Sequence, residues 1–203
     1  HVDWTTPANS TYGLAGQPNY KIPVATFLRP LCVIDQGNCV QQKGGSTQLD
    51  PIGDRLMFRA AYRNFGDHES LVLNHTVVNN DVSQQFGPRW YEVRGLSSGT
   101  TPSIFPPGQF DTTSDTDTLY RWMGSAAMDS KGGIAVGYST SSAASYPSIA
   151  YAARVASDAP GTLALGEASI YAGGGPENPL LFVGAGNGRW GDYSALTIDP
   201  SDD

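Results

Sequence analysis

A tyrosine beside a glutamate, Tyr91-Glu92, together with arginines at 55, 59, 89, 94, 121, 154 and 189, supplies the residue types needed to cleave a glycoside that carries a carboxylate. Arginines would grip the carboxylate and a glutamate-activated tyrosine would be the nucleophile, one of the exceptions to the usual carboxylate pair. Neighbours on a regular strand point to opposite faces, so Tyr91 and Glu92 cannot serve one substrate from one strand. No arginine spacing singles out a triad, and no residue is assigned a catalytic role. Serine chemistry has no better footing: the motif Gly-x-Ser-x-Gly is absent and the three histidines have no evident partner. His1 could chelate copper through its amine and imidazole with His68 or His75 as third nitrogen, the arrangement of an oxidative polysaccharide enzyme. Nothing else in the first 30 residues supports it.

Repetition says more than any single residue. Arg-Trp occurs at Arg89-Trp90, Arg121-Trp122 and Arg189-Trp190, and the last two open a longer phrase, a short apolar run that ends at Asp129 or Asp199. With Asp50, these aspartates lie 79 and 70 residues apart, which argues for a repeat architecture. Arg89, Trp90, Tyr91, Arg121, Trp122, Arg189 and Trp190 are the candidate ligand-binding residues, since indole and guanidinium faces suit sugars. A structural role competes: tryptophan fills the wedge between neighbouring sheets while arginine pairs with a carboxylate such as Glu92 or Asp192. A catalytic group is needed once, whereas a packing solution recurs.

Hard oxygen ligands for Ca²⁺ are densest at Asp111, Asp115 and Asp117, the candidate metal site, although no twelve-residue EF-hand order is present. Acidic turns more often serve side-chain-to-backbone hydrogen bonding. Cys32 and Cys39 bracket a turn-forming hexapeptide and are expected to form a disulfide, since no further ligands suggest zinc. Asn9-Ser-Thr and Asn74-His-Thr match the N-glycosylation triplet.

The elements that must carry these residues are strands. Twenty-four glycines and 14 prolines among 203 residues interrupt the chain too often for amphipathic helices, so an all-β fold with almost no helix is expected. The net charge of −7 and the scatter of 12 basic residues exclude a nucleic-acid stripe, and no apolar run is long enough to insert into a membrane. Residues 1–48 read as an extended N-terminal arm with the cysteine loop and one strand from Ile22 to Phe27. From 49 to 203, strands are expected over 55–62, 70–78 and 89–94. A long surface connection over 96–118 leads to four consecutive strands, 122–128, 134–139, 148–155 and 163–171. Arg189-Trp190 would begin the next sheet. Each unit of about 70 residues is then one antiparallel four-stranded blade of a β-propeller, incomplete in a chain of this length because propellers close with about four to eight blades. A β-sandwich is the alternative.

The phrases Asp129-Ser-Lys-Gly-Gly-Ile-Ala-Val-Gly-Tyr-Ser139, Tyr146-Pro-Ser-Ile-Ala-Tyr151 and Arg189-Trp-Gly-Asp-Tyr-Ser194 with Asp199-Pro resemble blade sequences of secreted bacterial sialidase-like, BNR or Asp-box related, β-propeller proteins, over residues 48–203. The strict box Ser-x-Asp-x-Gly-x-Thr-Trp is not met, since the segment after Asp129 lacks the Thr-Trp ending. The resemblance implies a six- or seven-bladed propeller in the complete protein and an extracellular location. The expected function is a non-catalytic surface protein that binds glycan or protein or builds an assembly, with a sialidase-like hydrolase segment as the alternative. Expected partners are a glycan, a second copy joined by strand addition, or further blades of the same parent.

Overall fold

A computed structural model describes residues 5–10, 20–30, 32, 39–80, 85–97, 100–106, 110–111, 118–177, 188–201 and 203. The only helical element among them is a single 3-10 turn, Pro7–Asn9. All else that is regular is β: β1 (Ala61–Asn64), β2 (Glu69–Asn80), β3 (Gln85–Arg94), β4 (Ser103–Ile104), β5 (Phe110–Asp111), β6 (Tyr120–Met128), β7 (Ile134–Ser142), β8 (Ser145–Arg154) and β9 (Gly166–Tyr171). The first sheet runs β1-β2-β3-β4, with β5 also on β3, and the second runs β6-β7-β8-β9, every pair antiparallel.

These strands follow from β-branched and aromatic runs cut by turn residues. Between β6 and β7 the turn is built by Asp129, whose Oδ1 accepts the N–H groups of Lys131 and Gly133 at 2.9 and 2.7 Å. The other two repeat aspartates make the same kind of turn: Asp50 Oδ1 accepts from Ile52 at 2.9 Å, and Asp199 Oδ1 accepts from Ser201 N–H at 2.9 Å. The spacing of these three residues therefore marks recurring turns.

β6 packs on β2 and β3 and so joins the sheets face to face. Register puts Val72, Asn74, Thr76 and Val78 of β2 on one face with Glu92, Trp90, Pro88 and Phe86 of β3, and this face meets the second sheet. One core gathers Val72 and Trp90 with Ala126, Met128, Ile134, Val136 and Tyr138. The other holds Val78, Phe86, Trp122 and Met123 with Val40, Leu49 and Met57. Trp90 and Trp122 are 1% and 0% exposed, and aromatic side chains of this size dominate the energetics of a core. The close crossing depends on Gly124: a Cβ there would lie 2.2 Å from Asn74 Oδ1. Next to it, Met123 takes a φ of 53° where the β6–β7 register shifts, so Trp122 and Ala126 sit on opposite faces despite their even spacing.

Four segments depart from the expectations. Within residues 55–62 the strand is confined to its end, β1; upstream, Leu56 makes a lone bridge to His75 and Met57 N–H donates to Asn74 O at 2.9 Å. Met57 is buried while Leu56 and Phe58 are exposed, the alternation of a strand, but the chain bends at Phe58 and no ladder resumes before Ala61. Residues 22–27 form no strand: among the described residues the arm touches the ladder of the first sheet only through the Leu28–Val78 bridge. The described residues from 188 onward form none either. They hold the second sheet through side chains, with Trp190 Nε1 donating to Ser139 Oγ at 2.9 Å and Leu196 N–H donating to Ser125 Oγ at 2.9 Å. The 96–118 connection carries the short strands β4 and β5, which extend the first sheet beyond the expectation. Cys32 and Cys39 form the disulfide, with Cα atoms 5.3 Å apart.

Candidate binding site

The second face of the first sheet carries Leu71, Leu73, His75 and Val77 of β2 beside Val93, Tyr91 and Arg89 of β3. Apolar residues at both parities of 71–73 require cover on both sides of the strand. The second sheet supplies one layer; the arm and residues 53–56 supply the other. Between arm and sheet lies a groove of about 510 Å³, walled by Tyr20, Val24, Phe27, Leu56, Leu73 and Ile104, with Arg29, Asp54, Arg55, His75 and Tyr91 as its polar groups.

Its floor is an organised aromatic and cationic cluster. His75 Nε2 and Tyr91 Oη share a hydrogen bond of 2.9 Å. Phe27 meets the His75 ring edge-on at 4.6 Å, and the Arg89 guanidinium lies 5.6 Å from the Phe27 ring centre. Burial, and then the charge of Arg89, pushes the His75 pKa down from 6.5 to about 4. Burial raises that of Tyr91, with Arg89 opposing the rise. Both groups are neutral at neutral pH. A histidine with a pKa of about 4 is poorly matched to general-base work there, whereas a neutral imidazole–phenol pair can donate and accept hydrogen bonds to a bound molecule.

The repeated Arg-Trp pairs do not converge on this groove. Tyr91 faces it, but Glu92 faces the other way, where its Oε1 accepts from Ser70 Oγ and Arg94 Nε at 2.7 Å each. Arg121 is 4% exposed at its side chain and is clamped by Glu167 at 2.6 and 3.1 Å, while Tyr138 Oη donates to the same carboxylate at 2.8 Å. Arg189 pairs with Asp192. Of the three arginines only Arg89 lies beside the groove, and Trp90 and Trp122 are core residues; Trp190 packs at the margin of the second core.

Asp115, Asp117 and His1 lie outside the described residues, as does the Asp111 side chain; the backbone of Asp111 pairs with Arg89. Among the described residues no three of His, Cys, Asp and Glu are grouped to hold a metal ion. Asn74 is fully buried, so only Asn9 of the two glycosylation triplets is exposed in the folded chain. No helix among the described residues is long and apolar enough to cross a membrane. His75 and Phe27 escape sequence reading as groove residues because their meeting depends on strand register and on the path of the arm. The two-sided apolar pattern of 71–73 is the signal that points to a covering layer. Comparison with known proteins finds no match among family models, curated proteins or solved structures.

Proposed function

We propose that this chain is a non-catalytic, extracellular binding protein of β-propeller type, its two meanders standing as neighbouring blades, and that it seats a glycan in the groove between the arm and the first sheet. The observation that carries this reading is the groove itself. It combines exposed rings that can stack on a pyranose, at Tyr20 and Phe27, with hydrogen-bonding groups at His75, Tyr91, Arg29, Asp54 and Arg55. The Cys32–Cys39 disulfide suits an oxidising compartment. Catalysis is not part of the reading, since the arginines that a sialidase would converge on one carboxylate are held apart by different partners.

Saturation-transfer NMR and calorimetry against neutral and acidic oligosaccharides test it. Binding should weaken at least tenfold in Tyr20→Ala, whose ring is 55% exposed at the groove mouth and contributes little to the core. Failure of every sugar to bind, or equal binding by the variant, overturns the glycan assignment. A second reading, self-assembly by strand addition, is favoured by β9. All six of its residues are exposed, with Ile170 at 57% and Tyr171 at 65%, as is Leu165 beside it at 62%. Light scattering coupled to size exclusion decides it: a particle of one 21.5 kDa chain excludes assembly.

A further inference from the structure

We propose a second binding site, for a small oxyanion, in the pocket of about 240 Å³ at the seam between the two sheets. Its walls bring together Arg94 of β3, Lys131 of the β6–β7 turn and Arg154 at the end of β8. These cations come from three separate segments of a chain whose net charge is −7. The one carboxylate among the described residues of the wall is Glu92, 2% exposed and already engaged by Ser70 and Arg94.

Arg154 makes the strongest case. The residue is 6% exposed, and its Nη2 donates to the carbonyls of Ala156 and Asp158 at 3.3 and 2.8 Å. Its buried Nε has no hydrogen-bond partner among the described residues. A guanidinium taken out of water without a carboxylate, and with a donor left over, is unfavourable unless something anionic completes it. The nearby acids are spent elsewhere: Asp67 binds His68, Asp203 binds Arg63 and the Ser130 N–H, and the Asp158 carboxylate accepts from Val155 N–H. Arg94 is fixed for recognition, its guanidinium 3.5 Å from the Phe105 ring centre and its Nε tied to Glu92. Lys131 Nζ adds a point charge at the exposed rim. A tetrahedral or planar oxyanion fits this set: a sulfate or carboxylate, free or carried on a sugar. The site is independent of what the groove binds.

Calorimetric titration with sodium sulfate, with sodium chloride at matched ionic strength as the blank, tests the site in the whole chain. Saturable sulfate binding in the millimolar range or tighter is expected. It should weaken at least fivefold in Lys131→Ala, which removes only an exposed side chain, and vanish in Arg154→Gln. If Arg154→Gln does not fold by circular dichroism, Lys131→Ala decides alone. A sulfate titration indistinguishable from chloride, or a Lys131→Ala curve that overlays the wild type, overturns the proposal. Repeating the titration with a sulfated monosaccharide separates the sources. Tighter binding than sulfate assigns the pocket to a glycan substituent, and equal binding assigns it to the free ion.

Discussion

Lowering the pH should destabilise this protein through His75 by an amount the structure sets. The imidazole is 6% exposed, its Nε2 is bonded to Tyr91, and its pKa in the fold is about 4 against an ordinary 6.5. Below pH 6.5 the unfolded chain takes up a proton at this residue while the folded chain does not, so unfolding is favoured increasingly as the pH falls. The loss begins near pH 6.5, grows until the folded imidazole itself protonates near pH 4, and then levels off. A shift of that size corresponds to about 3 kcal/mol between the two plateaus. The assay is urea unfolding followed by tryptophan fluorescence at pH 7, 6, 5 and 4, on the wild type and on His75→Phe. The variant gives up the bond to Tyr91, at a cost of about 1 kcal/mol at neutral pH, but has nothing to titrate. The wild-type advantage at pH 7 should therefore reverse by pH 4. Carboxylates titrate in both proteins and cancel in the difference. Parallel stability curves over this range would refute the placement of His75 in a buried, cation-flanked site.

Two further substitutions probe the packing. Glu167→Ala strips the buried Arg121 of its clamp and Tyr138 of its acceptor; because the Glu167 side chain is 29% exposed, a loss of about 2–3 kcal/mol is expected, below that for a fully buried pair. Arg121→Met combined with Glu167→Leu should recover most of it in the same urea titration, and a loss under about 0.5 kcal/mol in Glu167→Ala would show the pair to be idle. Gly124→Ala would press its methyl against Asn74 Oδ1, costing about 1–3 kcal/mol as overpacking does, or roughly 2–12 °C of melting temperature in a chain of this size, and Asn74→Ala in the same chain should relieve the clash.

The all-β character, the cysteine pair and the second sheet were legible because each rests on neighbours in sequence. Glycine and proline punctuation, a short loop between Cys32 and Cys39, and four apolar runs in succession are local signals. The aspartates at 50, 129 and 199 stood out in the sequence for their spacing, and the turns they build are equally local, since an Asx turn needs only its own two or three following residues. The opposite facing of Tyr91 and Glu92 followed from the period of a strand. What stayed hidden depends on register and long-range packing. A slip of one residue between β2 and β3 would send His75 into the core and expose Val72. The Arg121–Glu167 pair spans 46 residues across the second sheet, and no spacing rule connects them. The 53° φ at Met123 inverts the side-chain alternation within β6, so counting outward from Arg121-Trp122 gives the wrong face for everything after it.

β6 has a mechanical consequence. The second sheet is an uninterrupted meander from Tyr120 to Tyr171, and it reaches the first sheet chiefly through this one strand. A contiguous meander needs little loop closure, so it can form early and locally, and docking along β6 becomes a separate later step. Two cooperative units then follow for native-state hydrogen exchange, with the amides of β7 and β8 protected together and apart from those of β2 and β3. Arg94 and Arg154 belong to different units and meet only after docking. Any anion held between them binds the docked form alone and shifts the docking equilibrium in proportion to its concentration.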